Sequence, residues 1–88
     1  NNQQLVKIHA EMSDSQLEAV QAKLKDMTGI ELSIDNISRN EGLITSIRLR
    51  SQLDGKQISN GHFEDTKSIP NIYVGLVNGK AVVKSSRD

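Results

Sequence analysis

Residues 12–53, MSDSQLEAVQAKLKDMTGIELSIDNISRNEGLITSIRLRSQL, decide the fold, because nearly every position has an identifiable structural role. Ser13-Asp14-Ser15-Gln16 reads as a capping box: Ser13 caps the first free amides of a helix while Gln16 reaches back to it. Met12 and Leu17 have the spacing of a hydrophobic staple. Leu17, Val20, Leu24 and Met27 recur at three- and four-residue intervals and form one apolar stripe, so the spacing predicts a helix over 14–28. Gly29 supplies the left-handed stop, and Ile30 beyond it folds back on Leu24.

The strand pattern spreads outward from that helix. Ile30, Leu32 and Ile34 alternate with Glu31, Ser33 and Asp35, as in a half-buried strand. Ile37 falls out of phase and marks a bulge or an early strand end. Asn40-Glu41-Gly42 is a turn signal, with Gly42 suited to positive φ. Residues 43–53 place Thr45, Ile47, Leu49 and Leu53 on one face and Arg48 and Arg50 on the other. Pairing Ile34 and Leu32 with Leu49 and Ile47 leaves the arginines near Asp35, Glu31 and Ser33, a complementary solvent face. Before the helix, residues 4–12 alternate so that Val6, Ile8, Ala10 and Met12 point inward.

Residues 54–71 are polar and punctuated by Asp54-Gly55, Asn60-Gly61 and Pro70. They hold either a short strand around Gln57–Ser59 or a mobile segment. Ile72-Tyr73-Val74-Gly75-Leu76-Val77 is a dense β run, Asn78-Gly79 is a two-residue hairpin signal, and Ala81-Val82-Val83 returns.

These elements predict a single α+β domain over residues 1–88. Its one helix packs on one face of a four- to five-stranded, mainly antiparallel sheet, β-α-β-β-β, a ferredoxin-like half with a right-handed crossover. The first two strands are expected to be parallel, with residues 43–53 between them. The expected core is Val6 or Ile8, Ala10, Leu17, Val20, Leu24, Met27, Ile30, Leu32, Ile34, Ile47 and Leu49. The run 72–77 has the composition of an exposed edge that recruits another strand. Its hairpin either completes the domain's own sheet or pairs by β-augmentation with a second copy or the parent protein.

Composition narrows the function classes. With 11 basic and 11 acidic residues the net charge is zero, and nothing in that balance points to nucleic acid or an anionic membrane. Phe63 and Tyr73 are the only aromatics, too few for base-stacking platforms. Without cysteine there is no disulfide, thiolate nucleophile or cysteine metal site. No apolar run approaches the roughly 20 residues of a membrane span. The chain opens on Asn1 and reads as a piece excised from a longer protein.

The order of several motifs resembles a known family. Residues 12–14 through Gly29-Ile30, then Asp35-Asn36-Ile37-Ser38-Arg39-Asn40, Gly42-Leu43-Ile44-Thr45-Ser46-Ile47 and Ile69-Pro70-Asn71-Ile72-Tyr73-Val74, are similar to the extracytoplasmic C-terminal segment of some Bacteroidetes proteins. Those proteins belong to the BlaR/MecR-type antirepressor metallopeptidase family. The resemblance covers roughly residues 6–77. It implies a periplasmic or extracytoplasmic domain of a membrane-anchored protein that senses, docks or regulates. The family's zinc peptidase core and its His-Glu-x-x-His helix have no counterpart here, because His9 and His62 are the only histidines. No catalytic residue carries over.

Candidate sites are few. His62 with Glu64 and Asp65 has the donor types of a weak divalent-metal site, but a solvated loop accounts for them as well. Asp54-Gly55-Lys56 begins like a calcium loop and lacks the later acidic ligands. Asn36-Ile37-Ser38 matches a glycosylation acceptor, read as a chance match in a bacterial chain. Arg39, Arg48 and Arg50 on the open sheet face, with Ile72 and Val74 on the edge run, form the candidate interaction surface. No nucleophile–base–orienter set can be assembled, so the expectation is a non-enzymatic regulatory or interaction domain without cofactor or metal. Its expected partners are domains of the parent protein or a second copy through an edge strand, with no nucleic acid and no insertion of this fragment into a membrane. The alternative is a sensor that binds a small ligand, a peptide or a cell-wall fragment on the open sheet face.

Overall fold

A computed structural model describes residues 2–86. Its order is β1 (Gln3–Ile8), α1 (Asp14–Thr28), β2 (Glu31–Asn40), β3 (Leu43–Leu53), β4 (Lys56–Glu64), β5 (Ile72–Val77) and β6 (Lys80–Ser85). The helix starts and stops where its caps dictate. Ser13 Oγ accepts from the Gln16 amide at 3.2 Å, and Gln16 Oε1 accepts from the Ser13 amide at 2.8 Å. At the other end Gly29 sits at φ 80° and donates to the Lys25 carbonyl, closing the last turn as a left-handed cap does.

The strands form two antiparallel sheets of three, β1-β5-β6 and β2-β3-β4, which overturns the expected single sheet of four to five strands and its ferredoxin-like half. β1 and β2 are not parallel neighbours around residues 43–53; they belong to different sheets. The physical reason lies at Asp54-Gly55. Both residues have positive φ, 52° and 80°, the φ pattern of a type I′ turn. The chain therefore doubles back along β3 as β4. With β2 on one edge and β4 on the other, β3 has no edge left for β1. β1 pairs instead with β5, Val6 opposite Val74 and Ile8 opposite Ile72. The run 72–77 is thus a central strand, not an edge.

Residues 56–64 hide their strand character because the inward positions opposite Ser51 and Leu49 are the small Ser59 and Gly61. A bulge at Ile58 further breaks the alternation, since Ser51 faces Ser59 while Gln52 faces Gln57. Asn60-Gly61 is mid-strand, not a turn. β4 and β6 run side by side in different sheets, and the missing side chain of Gly61 makes room for Val83: a Cβ there would lie 2.8 Å from Val83 Cγ1.

Helix α1 bridges the two sheets, packing against β1 and β5 of one and β2 of the other. Leu17 and Leu24 are buried, with Val20 and Met27 against the core's margin. Around them lie Val6, Ile8, Ala10, Ile30, Leu32, Ile47 and Leu49, together with Ile44, Ile69, Ile72 and Val74. Ile34 is half-buried at the edge of this cluster.

Ile44 reaches the core through paired bulges. From Asp35 to Ser38 strand β2 advances three residues while β3 advances two; from Ser38 to Arg39 it advances one while β3 again advances two. Asn36, at φ 55°, accommodates the first irregularity, and Thr45 is the extra residue of the second. The phase of β3 is thereby reset: Ile44 joins Ile47 and Leu49 inside, and Thr45, expected inside, turns its hydroxyl to the Ser38 carbonyl at 3.3 Å. The Ile44 amide donates to Ala10 O and its carbonyl accepts from Ile69 N, so one buried residue ties both flanking segments to β3.

Candidate functional site

The outer face of β2-β3-β4 carries the ionic residues. In register across the three strands lie Ser33, Arg50 and Asn60, then Asp35, Arg48 and His62, with Ser46 opposite Glu64 in the next row. Arg50 Nη2 donates to Asp35 Oδ2 at 2.8 Å, a diagonal contact between half-exposed side chains. The Arg50 Nε is buried without a hydrogen-bond partner. Arg48 is exposed and, among the described residues, makes no ion pair, although Asp35 and His62 flank it in register. A shallow depression lies among Asp35, Asn36, Arg48 and Arg50.

Of the residues expected to form one surface, only Arg48 and Arg50 come together. Arg39 is drawn to the helix N-terminus, where its Nη2 meets Asp14 Oδ1 at 3.1 Å. That contact clamps the end of β2 to α1. Ile72 and Val74 are fully buried on the core side of β5, so they present no surface to a partner.

Beyond Arg48 the face opens into a polar groove of about 640 Å³ lined by Ser38, Asn40, Thr45, Ser46, Glu64, Asp65 and Thr66. His62 stands at its side, with Nε2 3.4 Å from Ser46 Oγ and 3.7 Å from Glu64 Oε1. The three residue types are those of a hydrolase triad, but the geometry is not. A relay needs the serine on one ring nitrogen and the carboxylate on the other, whereas here both approach Nε2. Among the described residues no three His, Asp or Glu side chains converge as a metal site. The Asp65 carboxylate is engaged locally, accepting from the Lys67 amide at 2.9 Å.

One perturbed carboxyl lies at the border of this face. Glu31 Oε1 accepts from Lys25 Nζ at 2.7 Å, and that hydrogen bond, with the lysine's charge, holds the Glu31 carboxyl below its ordinary range.

Sequence reasoning identified the arginine row through the period-two alternation of β3. It missed Asn60 and placed His62 in a loop, because β4 was not legible as a strand. The chain was compared with known protein families, curated proteins and solved structures, and no match was found. The BlaR/MecR-type resemblance accordingly rests on the residues that carry it.

Proposed function

We propose that this domain is a non-enzymatic regulatory or interaction module that docks through the outer face of β2-β3-β4. On the resemblance, it is an extracytoplasmic domain appended to a BlaR/MecR-type membrane signalling peptidase. The observation that carries the docking reading is Arg48, an exposed guanidinium without an ion pair among the described residues, beside an Arg50 already committed to Asp35. A planar guanidinium with free donors is suited to a carboxylate or phosphate on a partner. The face is open and ionic, in keeping with a reversible protein contact that needs no enclosed pocket. In the full-length protein expressed from its own gene, Arg48→Glu should weaken cross-linking between this domain and the rest of the protein. Unchanged cross-links, with the variant folded, would reject the docking role.

A second reading, a sensor of peptide or cell-wall fragments, is favoured by the polar groove from Ser38 to Thr66. Titration with a muramyl peptide, followed by amide chemical shifts, separates the two. Shifts confined to Thr45, Ser46 and Glu64–Thr66 support the sensor, and no shifts at millimolar peptide remove it.

A further inference from the structure

The outer face of the other sheet, β1-β5-β6, has a different chemistry that the net charge of zero conceals. Its registers run Gln3–Val77–Lys80, Leu5–Gly75–Val82 and Lys7–Tyr73–Lys84. Leu5, Tyr73, Val77 and Val82 are half-buried and lie apart from the hydrophobic core and the side chains packed on it. They point away from α1, and no element of the described chain covers them. The three strands carry Lys7, Lys80 and Lys84 and not one Asp or Glu. All three lysines are exposed, and none has an ion-pair partner among the described residues. Among the described residues the acidic side chains sit elsewhere, on α1, on β2-β3-β4 and in the connections.

We infer that this face docks on an anionic phospholipid surface. The three-stranded face spans about 10 Å by 20 Å, and three grooves of the domain lie on other elements: on β2-β3-β4 and between α1 and β2. Gly75 allows β5 to approach β1 so closely that a Cβ would collide with the Gln4 carbonyl. The centre of the face is therefore low, and the lysine stems stand above it. Lysines on flexible stems around an apolar, tyrosine-bearing centre match the headgroup zone: the ammonium groups reach lipid phosphates while Leu5, Val82 and the Tyr73 ring meet the acyl boundary. With only three lysines the attachment is weak and reversible, and serves to orient a domain already held near the bilayer.

The test is sedimentation of the whole chain with vesicles. Vesicles of equal parts phosphatidylcholine and phosphatidylglycerol should carry the domain down at low salt, and phosphatidylcholine alone should not. Raising the ionic strength should release it, because exposed charges are screened beyond a Debye length of about 8–10 Å near physiological salt. Lys7→Glu combined with Lys84→Glu should weaken partitioning roughly 25-fold or more, at about fivefold for each lysine lost. Lys23→Glu, one such charge reversal on α1, should leave it within about twofold. All three substituted sites are exposed, so a thermal melt should find both variants folded. No sedimentation with the anionic vesicles, or equal sedimentation of the folded double variant, overturns the inference. Concentration-dependent self-association without vesicle binding, if abolished by the double variant, would instead assign the face to a second copy. Retention on immobilised polyglutamate without vesicle binding would assign it to an acidic protein.

Discussion

The two sheets have the same size and the same plan, yet they are built on opposite terms. In each, two strands flank an antiparallel central one, β5 in the first and β3 in the second. β1-β5-β6 has unbroken registers and an outer face of aliphatic side chains and lysines. β2-β3-β4 has three register shifts and an outer face crossed by the Arg50–Asp35 ion pair. The first sheet keeps its register through Gly75, where a Cβ would meet the Gln4 carbonyl. The second is bent by bulges that re-aim its residues, which also leaves the β2 edge a poor template for another strand. That edge is further occupied where Gln21 Nε2 donates to the Leu32 carbonyl at 2.7 Å.

The sharpest way to break this comparison is a methyl group added to each sheet. Gly75 has φ 149°, and the Cβ of Gly75→Ala would collide with backbone, the Gln4 carbonyl. Backbone cannot rotate away as a side chain does, so strands β1 and β5 must separate. We expect a loss of about 4 kcal/mol or more, enough to unfold a domain this small, seen as loss of the cooperative transition in far-ultraviolet circular dichroism. In Gly61→Ala the Cβ would meet only side chains, Val83 Cγ1 at 2.8 Å and Phe63 Cε2 at 2.9 Å. Those can shift, and an overpacking cost of about 1–3 kcal/mol is expected. Equal losses at the two glycines would show that the sheets tolerate intrusion alike.

These glycines also show where the sequence was legible. The helix was readable to the residue because caps, staple and apolar stripe all act within one or two turns, and local chemistry decides them. The arginine row was readable because β3 alternates apolar and charged residues. The first sheet offered no such contrast: Ile72–Val77 is apolar on both faces, so its pattern says strand without saying which neighbours it takes. Gly75 in its middle read only as part of a β run, with no sign that a Cβ there would strike the Gln4 carbonyl. β4 failed for a related reason, since its inward position at Gly61 is kept small for Val83, a residue from the other sheet. Pairing decided by contacts across the fold leaves no local trace. The arginines of the candidate site were found in the same way as β3, but the separation of Arg39 from them depends on Asp14, 25 positions earlier.

Leu24 tests whether the two sheets melt together. Its side chain is fully buried on α1, the element that bridges them. Leu24→Ala should cost about 2–5 kcal/mol, the transfer term plus the cavity left behind. Denaturant unfolding should remain one transition at a lower midpoint with an unchanged slope. Two resolved transitions would mean that the sheets are separate folding units joined by the helix. A melting temperature unchanged within about a degree would mean that the apolar stripe faces solvent.

The ion pair that distinguishes the second sheet should contribute far less. Arg50 and Asp35 are both half-exposed, so water and salt screen their attraction. Asp35→Asn is expected to cost about 0.2–1 kcal/mol, diminishing at high salt. A cost above about 2 kcal/mol would place Asp35 in a structural role that its exposure does not suggest.

The smallest expected effect is the titration of Glu31. Hydrogen bonding to Lys25, and the lysine's charge, stabilise the carboxylate and lower its pKa in the folded domain, against a slight opposing effect of burial. A depressed folded pKa means that the unfolded chain binds the proton more readily. The contribution is therefore fully present above the unfolded value and disappears as pH falls through the folded one. The window lies on the acid side of the ordinary glutamate range. Both partners are well exposed, so the titration curve is a better readout than the melting temperature. In Lys25→Met the Glu31 side-chain carbon resonance should titrate at a higher pH than in the wild type. If Glu31 titrates identically with and without Lys25, the ion pair joining the helix's last turn to β2 does not persist in solution. The second sheet would then be tied to α1 by packing, the Gln21 hydrogen bond and, at the far end of β2, the Arg39–Asp14 pair.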